Sequence, residues 1–158
     1  MQSIGNTLAS GLAEELSVAA SLLEVLKREQ ERLINADADA LPGITDEKAK
    51  IIARMSELAH SRHCALATAG FDASEQGMQK WVDASGSQTP AGKSWNALLD
   101  LVRQGKELNR TNGLLIGQHM ARNQVVLNVL QGAPEGGTMY GPNGQSTTQT
   151  SSRKLVVG

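Results

Sequence analysis

The sequence predicts an all-α protein, an antiparallel bundle of three long helices plus one short helix, followed by a flexible C-terminal tail. Near the N-terminus, apolar residues recur at alternating spacings of four and three, which is typical of a helical packing seam. No stretch shows the strict alternation of polar and apolar residues that indicates a strand. We therefore assign residues 1–131 to a helical bundle and residues 132–158, rich in Gly, Ser and Thr, to the tail.

The first helix is predicted over residues 7–40, with Thr7 as its N-cap. We expect it to end just before Pro42, because proline disfavours helical geometry in the residue that precedes it. The seam that should face the bundle consists of Leu12, Leu16, Ala19, Leu23, Leu26, Gln30 and Leu33. Charged residues fill the positions between them, which indicates that the opposite face is solvated.

The second helix is predicted over residues 45–69, with Thr45 as N-cap and acidic residues at its positive end. Its buried stripe should include Met55 and Leu58. Across the whole bundle, the side chains that we expect in the core include Leu12, Leu16, Leu23, Leu26, Met55, Leu58, Val102, Leu108 and Leu115.

A short helix is predicted around Trp81, capped by Asp72 or Ser74. The last helix should cover residues 90–131, because Thr89 offers an N-cap and proline follows it at the first helical position. Three glycines interrupt this helix, and each costs about 1 kcal/mol of helix propensity relative to alanine. They allow either close packing or a bend.

Residues 111–134 are unusual because Arg122 is their only formally charged side chain. Their apolar positions sweep roughly two-thirds of the helix circumference, whereas a surface helix needs an arc of only about 100° to face a core. This stretch therefore has more apolar surface than one neighbouring helix can bury. Either it lies in the middle of the molecule, or part of it binds a partner.

Composition limits the classes of function. A net charge of -1 provides no basic face for nucleic acid. Cys64 is the only cysteine, so no intramolecular disulfide can form and a cytoplasmic location is expected. Residues 1–11 do not resemble a secretory signal, and the densest apolar run, residues 125–130, is too short to insert into a membrane.

Two motifs bear on catalysis. Residues 90–94, Pro-Ala-Gly-Lys-Ser, match the last residues of the phosphate-binding loop motif. The earlier glycine of that motif and the buried strand before it are missing. His60, His63 and Cys64 are potential metal ligands without the further cluster that a zinc site needs. The sequence therefore predicts no catalytic residue, no metal site and no cofactor, although a small metal-dependent enzyme stays an alternative.

The most specific pattern combines residues 108–116, Leu-Asn-Arg-Thr-Asn-Gly-Leu-Leu-Ile, with residues 140–145, Tyr-Gly-Pro-Asn-Gly-Gln. Together with the N-terminal leucine heptads and the Trp81 segment, it resembles the FlgN family of flagellar type III export chaperones. The resemblance implies a non-catalytic, all-helical cytoplasmic protein. Such proteins hold the hook–filament junction proteins FlgK and FlgL soluble and deliver them to the export gate protein FlhA.

The resemblance also implies that clients bind the C-terminal part of the chaperone and that a tail tyrosine contacts FlhA. Tyr140 is the only tyrosine in this chain, so the second role falls on it. An apolar helical face is suited to the amphipathic termini of such clients. We expect the client to bind Leu115, Ile116, His119, Met120, Val126, Leu127, Val129 and Leu130. The alternative is a structural bundle that dimerises through the same face.

Overall fold

The computed structural model describes residues 2–132, and side-chain burial from Ser3 onward. The chain forms α1 (Gln2–Ile34), a turn of 3-10 helix (Ala38–Ala40), α2 (Leu41–Thr68), α3 (Glu75–Ser85) and α4 (Pro90–Gly132). No strand occurs within these residues, so the predicted all-α class is confirmed. The chain divides into a unit of residues 1–115, which contains the bundle, and a second unit that begins at Ile116.

The predicted limits of α1 were wrong at both ends. The helix begins at Gln2, and Thr7 lies inside it, where its hydroxyl donates a hydrogen bond to the carbonyl of Ser3 at 3.0 Å. It ends at Ile34 because Ala36 adopts a left-handed conformation, with φ 56°. The N–H of Asp37 then bonds back to the carbonyl of Arg32 at 2.9 Å, as in a Schellman motif. This motif usually contains glycine, so an alanine there is hard to recognise from sequence.

The start of α2 also differs from the prediction. The segment with Pro42 begins this helix rather than ending the previous one, because proline fits in a first turn, where its missing N–H is not needed. Thr45 therefore lies inside α2 and is not its N-cap.

The predicted caps of the last two helices are confirmed. The Ser74 side chain, one of two candidates, accepts a hydrogen bond from the N–H of Gly77 at 3.0 Å and starts α3. Thr89 Oγ1 accepts one from the N–H of Gly92 at 3.1 Å and starts α4. In both cases the cap satisfies an amide that no earlier turn of the helix can reach.

The three long helices alternate in direction within the first unit. Between α1 and α2, Arg62 bonds Glu15 at 2.8 Å and Lys48 bonds Glu29 at 2.8 Å. Residue numbers therefore increase along α1 in the direction in which they decrease along α2. These pairs show that α1 and α2 are antiparallel. Arg62, the partner of Glu15, contacts Trp95, and Glu29 bonds Asn112 further along α4, so α1 and α4 run in the same direction.

Among the residues that the structure describes, the fully buried core is aliphatic apart from one aromatic side chain, Trp95, which is 1% exposed. Met78 and Val82 of α3 pack into the same cluster, so the short helix covers one end of the bundle. Four of the nine residues predicted in the core are fully buried: Leu12, Leu23, Leu26 and Leu58. The other five are half-buried, because a bundle of only three long helices leaves its flanks partly open: Leu16, Met55, Val102, Leu108 and Leu115.

Candidate protein-binding surface

The last fully buried residue of α4 is Asn112, and the helix continues to Gly132. Beyond Leu115, large apolar side chains are exposed by 39% to 70% of their surface. We call these residues the apolar face: Ile116, Met120, Val125, Val126, Leu127, Val129 and Leu130. Isolated exposed apolar residues are ordinary, but a set of seven large ones along one helix is a candidate interaction site.

A narrow polar strip borders the apolar face. It contains Gln124 and Asn128, whose side chains hydrogen-bond each other at 3.0 Å along the helix. At 3.6 residues per turn, the apolar face spans about 220° of the circumference. Arg122 is the only charged side chain inside that arc.

The structure places the eight predicted client-binding residues in two groups. Six are exposed and belong to the apolar face, whereas Leu115 and His119 are half-buried. The prediction omitted Val125 and the neighbouring Leu114, which are exposed by 61% and 56%. Both lie in the apolar stretch of residues 111–134 that the sequence singled out. Tyr140, the predicted gate-binding residue, lies outside the described residues.

Asn112 anchors α4 within the bundle. It is 1% exposed, and its Nδ2 donates hydrogen bonds to the carbonyl of Leu26 at 2.9 Å and to Glu29 Oε1 at 2.8 Å. The other Glu29 oxygen accepts from Lys48 at 2.8 Å. This network joins all three long helices. The neighbouring Asn109 is exposed and takes no part in it.

A second polar cluster surrounds Arg62, whose side chain is 5% exposed. Its guanidinium bonds Glu15 at 2.8 Å and Glu75 at 3.1 Å, and it lies 5.0 Å from the centroid of the Trp95 ring. Burial lowers the pKa of Arg62, but the hydrogen bonds and charges of Glu15 and Glu75 outweigh it and raise the pKa above its ordinary value. The cluster is fully paired, so its role is to join α1, α2 and α3.

The potential metal ligands do not converge. His63 Nε2 lies 3.0 Å from Glu75 Oε1, whereas His60 Nε2 lies 3.6 Å from Cys64 Sγ. Within residues 2–132, no group of three or more His, Cys, Asp or Glu side chains is placed to hold a metal ion.

The Pro-Ala-Gly-Lys-Ser run forms the first turn of α4. Its Gly92 N–H is already bonded to Thr89, and the residues before it form a turn rather than a strand. A phosphate-binding loop needs free amides and a preceding strand, so this segment is a helix start.

An apolar pocket of about 210 Å³ opens between α1, α2 and α4. Leu26, Ile52 and Val102 line it, and the missing side chain of Gly105 widens it. It is large enough for a single side chain, whereas the apolar face offers several helical turns. The apolar face is therefore the better candidate for binding another protein. In the described part of the chain, no helix has the length and hydrophobicity required to cross a bilayer.

Comparison with known proteins identifies the family. A family model described as FlgN protein matches residues 1–148. The flagella synthesis protein FlgN of Proteus mirabilis is 30% identical over 134 residues, which cover 84% of each protein. The protein of the same name from Escherichia coli K12 is 28% identical over 153 residues, covering 95% of this chain and 98% of that protein.

A solved structure supports the fold. The crystal structure of a putative flagella synthesis protein FlgN from Pseudomonas aeruginosa has a TM-score of 0.62 and 21% identity, and covers 78% of this chain and 95% of that one. At this identity, the likeness concerns the fold alone. The family model nevertheless spans nearly the whole sequence, and the P. mirabilis protein matches most of it. The chain therefore belongs to the FlgN family of flagella synthesis proteins.

Proposed function

We propose that this chain is a cytoplasmic flagellar export chaperone. It binds the hook–filament junction proteins FlgK and FlgL, keeps them soluble and delivers them to the export gate protein FlhA, without catalysis and without a cofactor. The single observation that supports this proposal is the apolar face of α4, where seven large side chains remain exposed on a helix of a protein from a flagella synthesis family.

The physical basis is the burial of apolar surface. Each square ångström of apolar area removed from water contributes about 25 cal/mol, so covering several Val, Leu and Met side chains provides a substantial driving force. An amphipathic client helix can present its own apolar residues at positions i, i+3, i+4 and i+7. While it is bound, that helix cannot associate with other client molecules.

A charge on the apolar face should disrupt client binding and spare the fold. Val126 and Leu130 are exposed by 52% and 70%, so Val126→Asp or Leu130→Asp should leave the thermal melting and the helical circular dichroism unchanged. Burying the new carboxylate against an apolar client is costly, so affinity for FlgK and FlgL should fall roughly tenfold or more by calorimetry. Asn128→Asp, on the polar strip of the same helix, is the matched control and should bind nearly as the unaltered protein does.

Three results would contradict this assignment. Unfolding of Val126→Asp would mean that the face belongs to a core. Equal client affinity for Val126→Asp and Asn128→Asp would place the client elsewhere. A concentration-dependent mass that Val126→Asp abolishes, without any effect on clients, would support the dimerising bundle instead.

Delivery to the gate is tested at Tyr140. A tyrosine is a common interface anchor, because it offers apolar area and a hydroxyl group at low entropic cost. Tyr140→Ala should preserve the fold and client affinity but weaken binding of the chaperone–client complex to the cytosolic domain of FlhA. Tyr140→Phe is the matched control and should retain most of the affinity through its ring. Unchanged FlhA affinity for Tyr140→Ala would remove this residue from the docking site.

A further inference from the structure

We propose that the apolar face binds two client helices side by side, and that the helix lying over Arg122 carries a carboxylate opposite it. This inference rests on the proposed function, because it specifies the client of the same surface. It follows from the width of the face, the spacing of its residues and the position of its only charge.

The width of the face exceeds what one helix can cover. The exposed apolar side chains span about 220° of α4, whereas a single packed helix covers about 100°. Two seams lie within this arc. Seam one contains Ile116, Met120, Asn123, Leu127 and Leu130, and seam two contains Arg122, Val125, Val126 and Val129.

Seam one has the spacing of a coiled coil. Its residues follow one another at intervals of four, three, four and three, which keeps a row of side chains facing one partner helix. Asn123 is the only polar residue in the row. A polar residue within such a seam fixes the register of the partner, because its amide must find a hydrogen-bonding group there.

Seam two differs because it begins with a charged residue, Arg122, one helical turn before Val125 and Val126. Along the sequence, the nearest carboxylates to Arg122 are Glu107, which is bonded to Arg110 at 2.7 Å, and Glu135, which follows α4. Residues 118–126 contain no Asp or Glu, so no residue of α4 within a helical turn of Arg122 can neutralise it. Covering a guanidinium without a carboxylate is unfavourable, because the buried positive charge is then left unpaired. The geometry thus selects a client helix with an Asp or Glu at this position.

The charge pairing is tested with the full-length chain and the FlgK and FlgL proteins encoded in the same genome. Arg122→Met preserves the length and apolar stem of the side chain but removes the charge, and should weaken binding roughly tenfold or more. Arg122→Lys keeps the charge and should stay within a few-fold of the unaltered protein. Equal or tighter binding by Arg122→Met would overturn the pairing, because it would mean that the guanidinium stays in solvent. An equal loss in Arg122→Lys would also count against it.

The two-helix arrangement is tested by photo-crosslinking. A photoreactive amino acid is placed at Met120 in seam one or at Val129 in seam two, and the captured client peptides are identified by mass spectrometry. We expect the two positions to capture two different helical segments of the client. Capture of the same segment from both positions would overturn the arrangement.

These outcomes are distinguishable from failure of the proposed function. If the unaltered chain binds neither FlgK nor FlgL, the proposed function fails. If it binds them and Val126→Asp prevents binding, while Arg122→Met has no effect and both crosslinks capture one segment, only this inference fails.

Discussion

Arg62→Met should lower the free energy of unfolding by about 3–5 kcal/mol, the usual range for removing one partner of a buried ion pair. The loss arises because Glu15, whose side chain is 7% exposed, would keep its charge without its partner. The cation–π contact with Trp95 and the bond to Glu75, which holds α3, would disappear as well. Urea unfolding monitored by circular dichroism measures the change.

Two variants separate the effect of burial from that of pairing. Arg54→Met is the matched control, because Arg54 also joins α2 to α1, through Glu14, but is exposed; we expect little change in stability. Arg62→Met combined with Glu15→Leu removes both buried charges and should recover much of the loss, since apolar replacement of a whole buried pair is often neutral. If Arg62→Met were no more destabilising than Arg54→Met, the cluster would not hold the bundle together.

The helices were predictable where the signal is local. The alternating spacing of Leu12, Leu23 and Leu26 identified the buried side of α1, because one helical face repeats every 3.6 residues. Ser74 and Thr89 identified two helix starts, because a capping side chain acts on an amide three residues later. Each of these signals lies within a few residues of the feature that it predicts.

The limits of α1 and the buried charges were not predictable in the same way. Ala36 ends the helix in a conformation that glycine normally adopts, so an alanine at this position does not predict a helix end. Glu15, Glu29 and Arg62 look like solvated charges in sequence, yet they are buried. Their partners come from other helices, and pairing over such distances along the chain leaves no local pattern.

The candidate surface was predictable in kind but not in every residue. The scarcity of charge in residues 111–134 indicated either a central helix or one that binds a partner, and the structure leaves most of the stretch from Ile116 onward exposed. Which side chains point outward depends on the phase of the helix, so the sequence did not show that Leu115 and His119 are half-buried. Client binding by any of the eight residues stays a prediction. The role of Tyr140 rests on the family resemblance and stays a prediction.

Gly77 and Gly92 each lie three residues after a helix cap and pack closely against the backbone that precedes α3 and α4. Gly77 follows Ser74 by three residues, and Gly92 follows Thr89 by three. A Cβ on Gly77 would lie 1.8 Å from the carbonyl oxygen of Asp72, and one on Gly92 would lie 2.6 Å from that of Ser87. Both neighbours are backbone atoms, so a larger residue cannot be accommodated by rotating a side chain.

Gly77→Ala should therefore lower the free energy of unfolding by about 3 kcal/mol or more, at the upper end of the cost of overpacking, because the backbone before α3 must move. Gly113→Ala is the matched control: no atom lies within 4 Å of a Cβ there, and alanine favours an exposed helix by about 1 kcal/mol, so this variant should be more stable. Urea unfolding of both variants measures the two opposite shifts. A loss below about 1 kcal/mol for Gly77→Ala would mean that the segment around Asp72 adjusts easily, and that α3 covers the end of the bundle more loosely than its contacts indicate.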